Sequence, residues 1–139
     1  MTRMETPPSR VEDMTVEAYE DFVSEMHAAV REEAPLYEIP LGATDLLSTG
    51  EVRHGPWRPM DCARILLRWH EAGLLGLYRY TPTRATGADL TTTEAREILS
   101  EHEAWVMFAD WTRVVALFLT DKGAATEYAE WQRIASRPE

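Results

Sequence analysis

Hydrophobic residues between positions 16 and 30 recur at steps of three and four, which is the period of an amphipathic helix. Thr15 is a suitable N-cap for this helix, and Pro35 ends it. We therefore predict a first helix with one apolar face. That face is formed by Val16, Tyr19, Phe22, Val23, Met26 and Val30.

A second amphipathic pattern begins at Pro59, a residue that suits the first turn of a helix. Its apolar residues lie at positions i, i+3, i+4 and i+7, and Gly73 stops the helix. Upstream, Thr44 caps a predicted short helix over Asp45–Ser48 that ends at Gly50, and RHGPWRP (53–59) is predicted to be a loop. The core-facing residues of the second helix are Cys62, Ile65, Leu66 and Trp69.

The remaining pattern alternates strands and helices. LLGLYRY (74–80), WVMF (105–108) and RVVALFLT (113–120) predict strands, the last two joined by a hairpin turn at ADWT. Thr91 and Glu94 have the spacing of a capping box at the start of a third long helix, and a last helix starts at Thr120. The chain is therefore predicted to be α+β, with four to five helices and a small three-stranded antiparallel sheet.

The length of 139 residues predicts one domain over residues 14–139, preceded by a polar lead-in at residues 1–13 that contains two prolines and is predicted to be disordered. No apolar run approaches the roughly 20 residues of a membrane span. The N-terminus also lacks the apolar region of a secretory signal, so we expect a cytoplasmic protein without a membrane partner. The single cysteine excludes an internal disulfide.

The net charge of −10 opposes simple binding to nucleic acid, because the phosphate backbone favours cationic proteins. The charge is unevenly distributed along the chain. Residues 1–51 carry 3 basic and 12 acidic residues, residues 52–88 carry 6 arginines and 2 acids, and residues 89–139 carry 5 basic and 10 acidic residues. The only basic third therefore contains the second amphipathic helix.

Two stretches, ARILLRWHEAGLLGLYR (63–79) and VALFLTDKG (115–123), resemble landmarks of winged helix-turn-helix domains. In many regulators of the MarR type, the recognition helix ends in a Leu-x-x-x-Gly-Leu stretch, and the returning strand of the wing ends in Leu-Thr-x-Lys-Gly. The resemblance covers roughly residues 36–123, with a helical insertion in the wing. It implies a winged-helix-like fold.

The resemblance also implies a small DNA-binding transcriptional regulator, dimeric because one recognition helix reads only a short half-site. Another interpretation of the same helix is a surface ladder of ion pairs, since Asp61–Arg64 and Arg68–Glu71 have i,i+3 spacing. Both alternatives remain open at the level of sequence. The residues that would contact duplex DNA are Arg58, Arg64, Arg68, Arg79 and Arg84.

The second function considered is an acidic protein-interaction module that binds a basic protein and no DNA. The polar face of the first helix is acidic, which is either a solvated surface or a partner surface. Two tryptophans lie in predicted loops, where they either contact a partner or fold back onto the core. Apolar residues on the terminal helices leave room for a homodimer. The candidate interaction residues are Glu20, Asp21, Glu25, Trp57 and Trp111.

Motifs for chemistry are missing from the sequence. None of the four histidines is spaced from another ligand as in a recognised metal site, and no glycine loop with a lysine cradles a phosphate. No Ser or Cys stands in the context of a nucleophile elbow. We therefore expect a protein that is not an enzyme and has no catalytic residues, no metal and no cofactor.

Overall fold

Five helices and four strands occupy the part of the chain that the computed structural model describes, residues 10–79, 89–106 and 114–136. This confirms the predicted α+β class. In chain order the elements are α1 (Val16–Arg31), β1 (Ala43–Leu47), β2 (Gly50–His54), α2 (Pro59–Glu71), β3 (Leu75–Arg79), α3 (Thr92–Ser100), β4 (Val115–Leu119), α4 (Asp121–Ala125) and α5 (Tyr128–Ile134).

The strands of the described residues form two antiparallel sheets of two strands each, β1–β2 and β3–β4. In the second sheet Leu77 lies opposite Leu117, and an isolated bridge joins Pro35 to Ala116 of β4. The predicted three-stranded sheet differs from this arrangement. Of its third strand, Trp105 instead ends a 3-10 turn, and positions 107–108 lie outside the described residues.

Helix α1 has the cap and the apolar face predicted for it. The Thr15 side chain accepts a hydrogen bond from the Ala18 amide, and the helix ends at Arg31. Five of the six predicted face residues are buried, whereas Val16 at the first position is 71% exposed. The period of three and four residues therefore identified the packed face correctly.

The prediction of a short helix over Asp45–Ser48 is wrong, because this segment belongs to the β1–β2 hairpin. Gly42 at φ +79° precedes β1, and its missing side chain lets the His54 carbonyl come close: an added Cβ would lie 1.9 Å from that oxygen. A two-residue loop joins the strands, with Leu47 opposite Gly50. The glycines on both sides of the segment therefore favour a hairpin over a helical turn.

Helix α2 begins at Pro59 as predicted, and the chain turns at Gly73 with φ +81°. Its four predicted core residues are all buried. The capping box of Thr91 and Glu94 is present at the start of α3. In contrast, the single last helix predicted from Thr120 onward is two short helices, α4 and α5. Thr126, between them, has an extended backbone at φ −94° and ψ 131°.

The predicted disordered lead-in also differs from the structure at residues 11–13, which form a 3-10 turn. Val11 is only 6% exposed, and its amide donates a hydrogen bond to the buried carboxylate of Asp61 at 3.2 Å. Residues 1–9 lie outside the described residues. The packed part of the chain therefore begins at Val11, inside the predicted lead-in of residues 1–13.

A single hydrophobic core joins α1, α2, α3, α5 and the β3–β4 sheet. Its centre is aromatic: Trp69 of α2 and Trp131 of α5 meet edge to face with ring centroids 4.9 Å apart. The His27 ring of α1 lies 4.7 Å from Trp131. No helix among the described residues has the length and apolar character to cross a membrane.

Thr120 connects the end of α2 to the start of α4. Its hydroxyl donates to the Gly73 carbonyl at 2.6 Å and accepts from the Gly123 amide at 2.9 Å. Replacing Thr120 with Val keeps the shape but removes both hydrogen bonds. We expect this to lower the free energy of unfolding by about 1–2 kcal/mol, measured by urea denaturation. A loss below about 0.3 kcal/mol would contradict this role.

Candidate functional site

Two of the candidate DNA-binding arginines are already engaged within the protein, and a third lies in an acidic setting. Arg58 lies 3.5 Å from the Glu12 carboxylate, and Arg68 donates a hydrogen bond to the Ser136 carbonyl at 2.9 Å. Arg79 lies at the exposed end of β3, among the lining residues of a cavity of about 210 Å³. The contacts of Arg58 and Arg68 hold these two guanidinium groups near the protein's own oxygens. They therefore reduce what α2 can offer to a phosphate.

Acidic side chains surround Arg79. Glu94, Glu97, Glu101 and Glu103 line the same cavity. The pKa of Glu94 is lowered chiefly by its hydrogen bonds with Thr91, and the charge of Arg79 contributes. Arg79 therefore has an acidic setting that would repel DNA. Another candidate DNA-binding residue, Arg84, lies outside the described residues.

Arg64 is the exposed cation of α2, and the described residues contain no ion pair to it. The surface strip around it is narrow, because α2 packs against α1, α3, α5 and β3. Met60, one turn before Arg64, is 73% exposed. A helix that reads bases in a DNA groove usually offers several hydrogen-bonding side chains, whereas this strip offers Arg64 beside an exposed methionine.

Neither of the predicted i,i+3 pairs on α2 is formed among the described residues. Asp61 is 6% exposed and bonds the Val11 amide, so it does not lie on the polar face beside Arg64. Glu71 pairs with Arg96 of α3 at 2.9 Å. The sequence spacing allowed both pairs, but partners from outside the helix replace them.

A groove lies between α1, the 3-10 turn Ile39–Leu41 and the start of β1, with a volume of about 360 Å³. We call it the acidic groove. Its floor is apolar, with Met26, Ile39 and Trp57 all at most 5% exposed. Its rim carries four carboxylates and, among the lining residues, no basic side chain. They belong to Glu25, Glu32, Glu38 and Asp45.

The three acidic candidates of α1 lie in three different settings. Glu25 lines the groove, whereas Asp21 lies one turn earlier on α1 and contacts His54. Glu20 is exposed on α1. Burial of the phenol is the main cause that raises the pKa of Tyr128, and the negative charge of Glu20 adds to that effect. Glu32, Glu38 and Asp45 were not among the candidates. The helical spacing of Glu25 and Glu32 was the sequence signal that could have identified part of this rim.

Trp57 is buried rather than exposed. Its ring packs on Phe22 with centroids 5.3 Å apart, and its amide bonds the Pro40 carbonyl at 2.8 Å. This is the alternative in which the tryptophan folds back onto the core, so Trp57 supports the groove as part of its floor. Trp111, the other candidate, lies outside the described residues.

His54, the last residue of β2, holds three carboxylates together. Its Nδ1 lies 2.7 Å from Asp21 and 3.8 Å from Glu25, both on α1, and its Nε2 lies 2.8 Å from Asp45 on β1. We call these four residues the His54 cluster. The imidazole is 13% exposed. The sequence does not reveal this cluster, because the hydrogen-bonded partners of His54 lie 9 and 33 positions away from it.

The electrostatics of the His54 cluster favour the imidazolium. The hydrogen bond to Asp21 raises the pKa of His54; burial opposes this, and the bond to Asp45 adds to it. Burial raises the pKa of Glu25, and the positive charge of His54 counteracts that effect. The His54 cluster therefore combines one imidazolium with three carboxylates, so that its net charge is negative.

Donor atoms of Asp21, Glu25 and His54 lie within 4.8 Å of one another, a spacing that could hold a metal ion. We interpret the group as an ion-pair cluster instead, because the imidazole already engages carboxylates through both ring nitrogens. The thiol of Cys62 is buried, which raises its pKa strongly and makes it a poor nucleophile. The acidic groove therefore offers four carboxylates around an apolar floor.

Comparison of the chain with protein-family models, with curated proteins and with solved structures finds no match.

Proposed function

We propose that the protein is a non-enzymatic interaction module that binds a basic segment of another protein in the acidic groove. The observation that carries the proposal is the combination of an apolar floor and a rim of four carboxylates without a lining cation. An apolar floor can bury one side chain of a partner, and the rim can hold basic groups on either side. Charge complementarity of this kind accelerates association and excludes acidic partners.

The net charge of −10 supports a basic partner over a nucleic acid, because the whole-protein field attracts cations. The rim also suggests the form of the bound segment. Glu25 and Glu32 are seven residues apart on α1, so their backbones are separated by about 10 Å along the helix. An extended chain covers that distance in about three residues. The preferred segment therefore has two arginines or lysines three positions apart, with an apolar residue between them.

We also propose that the fold is a divergent winged helix with a helical insertion. The antiparallel pairing of β3 and β4 supports this, as do the turn at Gly73 and the capped start of α4 after Thr120. In this proposal α2 occupies the position of a recognition helix but has lost most of its free cations to internal partners. DNA binding through α2 is therefore the competing function that the experiment must separate.

The proposal predicts salt-dependent binding of a basic peptide at the groove. The probe is a fluorescein-labelled peptide with an arginine pair in Arg-x-x-Arg spacing and a leucine between them; a control peptide has glycine in place of leucine. We expect anisotropy to show binding that weakens as salt rises. The glycine peptide should bind more weakly, because it cannot fill the apolar floor. In NMR spectra, the amides of Gly42 and Ala43 should shift on titration.

The same titration with random duplex DNA gives the competing outcome. Binding of DNA, with shifts around Arg64 and none in the groove, would overturn the proposal in favour of a DNA-binding regulator. Failure of both probes at low salt would overturn it as well. Binding of both peptides with equal affinity, without shifts at Gly42 and Ala43, would show only non-specific attraction to an acidic protein.

A further inference from the structure

His54 makes two short contacts with carboxylate oxygens, one at each ring nitrogen. Ionised carboxylates only accept hydrogen bonds, and a neutral imidazole has a single N–H to donate. Neutral His54 could therefore satisfy Asp21 at 2.7 Å or Asp45 at 2.8 Å, and the other contact would set two lone pairs against each other. The observed geometry fits the doubly protonated ring, which donates to both.

Of these two hydrogen bonds, the one to Asp21 joins the β1–β2 hairpin to α1, and the one to Asp45 lies within the hairpin. Asp21 belongs to α1, and Asp45 and His54 belong to the β1–β2 hairpin. Every residue of β1 is exposed, and in β2 only His54 is partly buried. Leu46, near the tip, is 80% exposed. A hairpin with so few buried side chains depends on the contacts at its base for its position against α1.

We propose that protonated His54 is a pH-sensitive latch that fastens the β1–β2 hairpin to α1, and that its deprotonation releases the hairpin and widens the acidic groove. Glu25 and Asp45 belong to the His54 cluster and also line the groove, so the latch and the groove share a wall. The charged groups that face the imidazole are Asp21 and Glu25 from α1 and Asp45 from β1. Arg53, the neighbour of His54 in β2, instead bonds Thr44 and the Leu41 carbonyl.

The direction of the pH dependence follows from the charge of His54. Deprotonation removes the positive charge that faces Asp21 and Glu25 of α1 and leaves one N–H for the two carboxylates of Asp21 and Asp45. A histidine whose pKa is raised by folding stabilises the docked hairpin fully at pH values below its ordinary pKa of about 6.5. That stabilisation is lost as the pH rises through the higher pKa of the docked state. The hairpin should therefore be docked in mildly acidic solution and increasingly released above neutrality.

The first test is a pH series of amide hydrogen exchange on the full chain, expressed as protection factors. From pH 6 to pH 8.5 we expect protection in residues 43–54 to fall by about tenfold for each unit by which docking raises the His54 pKa. Protection of Leu77 and Leu117 in the β3–β4 sheet is the internal control and should not follow this dependence. In the variant His54→Gln, the hairpin should be weakly protected at every pH.

A second readout is the titration of the histidine side chains by NMR. We expect His54 to titrate above its ordinary pKa and His27 below it, because burial lowers the pKa of His27. In Asp45→Asn the His54 pKa should fall, and this exposed substitution should leave the core folded. A His54 that titrates at its ordinary pKa, or hairpin protection that is independent of pH in the wild type, would overturn the latch.

The consequence for binding rests on the proposed function. Loss of the imidazolium frees Asp21, Glu25 and Asp45, so a basic peptide should bind more tightly at pH 8 than at pH 6. The exchange and titration experiments contain no peptide, so they test the latch even if no peptide binds. Peptide binding with a pH-independent hairpin would support the groove and reject the latch.

Discussion

Replacing Trp131 with Ala is expected to lower the free energy of unfolding by about 3–5 kcal/mol. The indole is fully buried, meets Trp69 edge to face at 4.9 Å and donates a hydrogen bond to the Thr126 carbonyl at 3.3 Å. Truncation leaves a large cavity between α1, α2 and α5, where His27 also packs. A domain of this size is typically stable by about 5–15 kcal/mol, so the loss is a large fraction of the total.

The matched control is the adjacent substitution Gln132→Ala on the exposed side of α5, which should change stability by no more than about 0.5 kcal/mol. Urea denaturation followed by circular dichroism measures both variants. A loss below 1 kcal/mol for Trp131→Ala would mean that α5 does not pack on the core as described. Trp69 also donates to the backbone carbonyl of Trp131 at 2.9 Å. That bond can persist in the alanine variant.

The position of α5 also bears on the arginines of α2. Arg68 bonds the carbonyl of Ser136, just beyond the end of α5, so the anchoring of this helix by Trp131 helps to keep Arg68 occupied. A protein that used α2 to read DNA would need that guanidinium at its surface. The packing of Trp131 in the aromatic core therefore also supports the contact that keeps Arg68 from a DNA-reading surface.

Local pattern predicted the helices well, because each buries one face and hydrophobic periodicity records that face directly. The apolar stripe of α1 and the Thr91–Glu94 capping box could both be read from neighbouring residues in the sequence. The last helix was harder to predict. Its apolar spacing continues across Thr126, where the backbone is extended and the hydroxyl bonds the Lys122 carbonyl.

The hairpin and its latch were missed for a physical reason. Strands β1 and β2 are exposed on both faces, so burial imposes no alternating pattern on them. The stronger signals were Gly42 and Gly50 on either side of β1, which favour positive φ. The His54 cluster depends on packing of this hairpin against α1. Such a contact between distant segments cannot be read from spacing in a single sequence.

For the arginines, the sequence shows the position of the charge but not its contacts. Their clustering in the middle third was real, but a net charge does not say which oxygens the guanidinium groups face. Arg58 and Arg68 contact groups of the protein itself, and Arg79 lines a cavity with four glutamates. The acidic rim was also spread over four positions in three segments, and only the fold brings them to one groove.

Reversing the charge of the rim should abolish most of the proposed binding. In the double variant Glu32→Lys and Glu38→Lys, two attractions become repulsions, and we expect the affinity for the Arg-x-x-Arg peptide to fall on the order of 100-fold, or about 2.7 kcal/mol. Both residues are exposed and neither contacts His54 in the described structure. A lysine at position 32, the C-cap of α1, also suits the helix dipole, so the fold should be retained.

The matched control is Glu97→Lys with Glu101→Lys, which makes the same change in net charge beside Arg79, away from the groove. If affinity depends on the groove, the control should lose only a few-fold, and the difference between the variants should shrink as salt rises. Equal losses in both variants would mean that total charge alone attracts the peptide. The carboxylates of the groove would then be a solvated surface, and a specific basic partner would no longer follow from their arrangement.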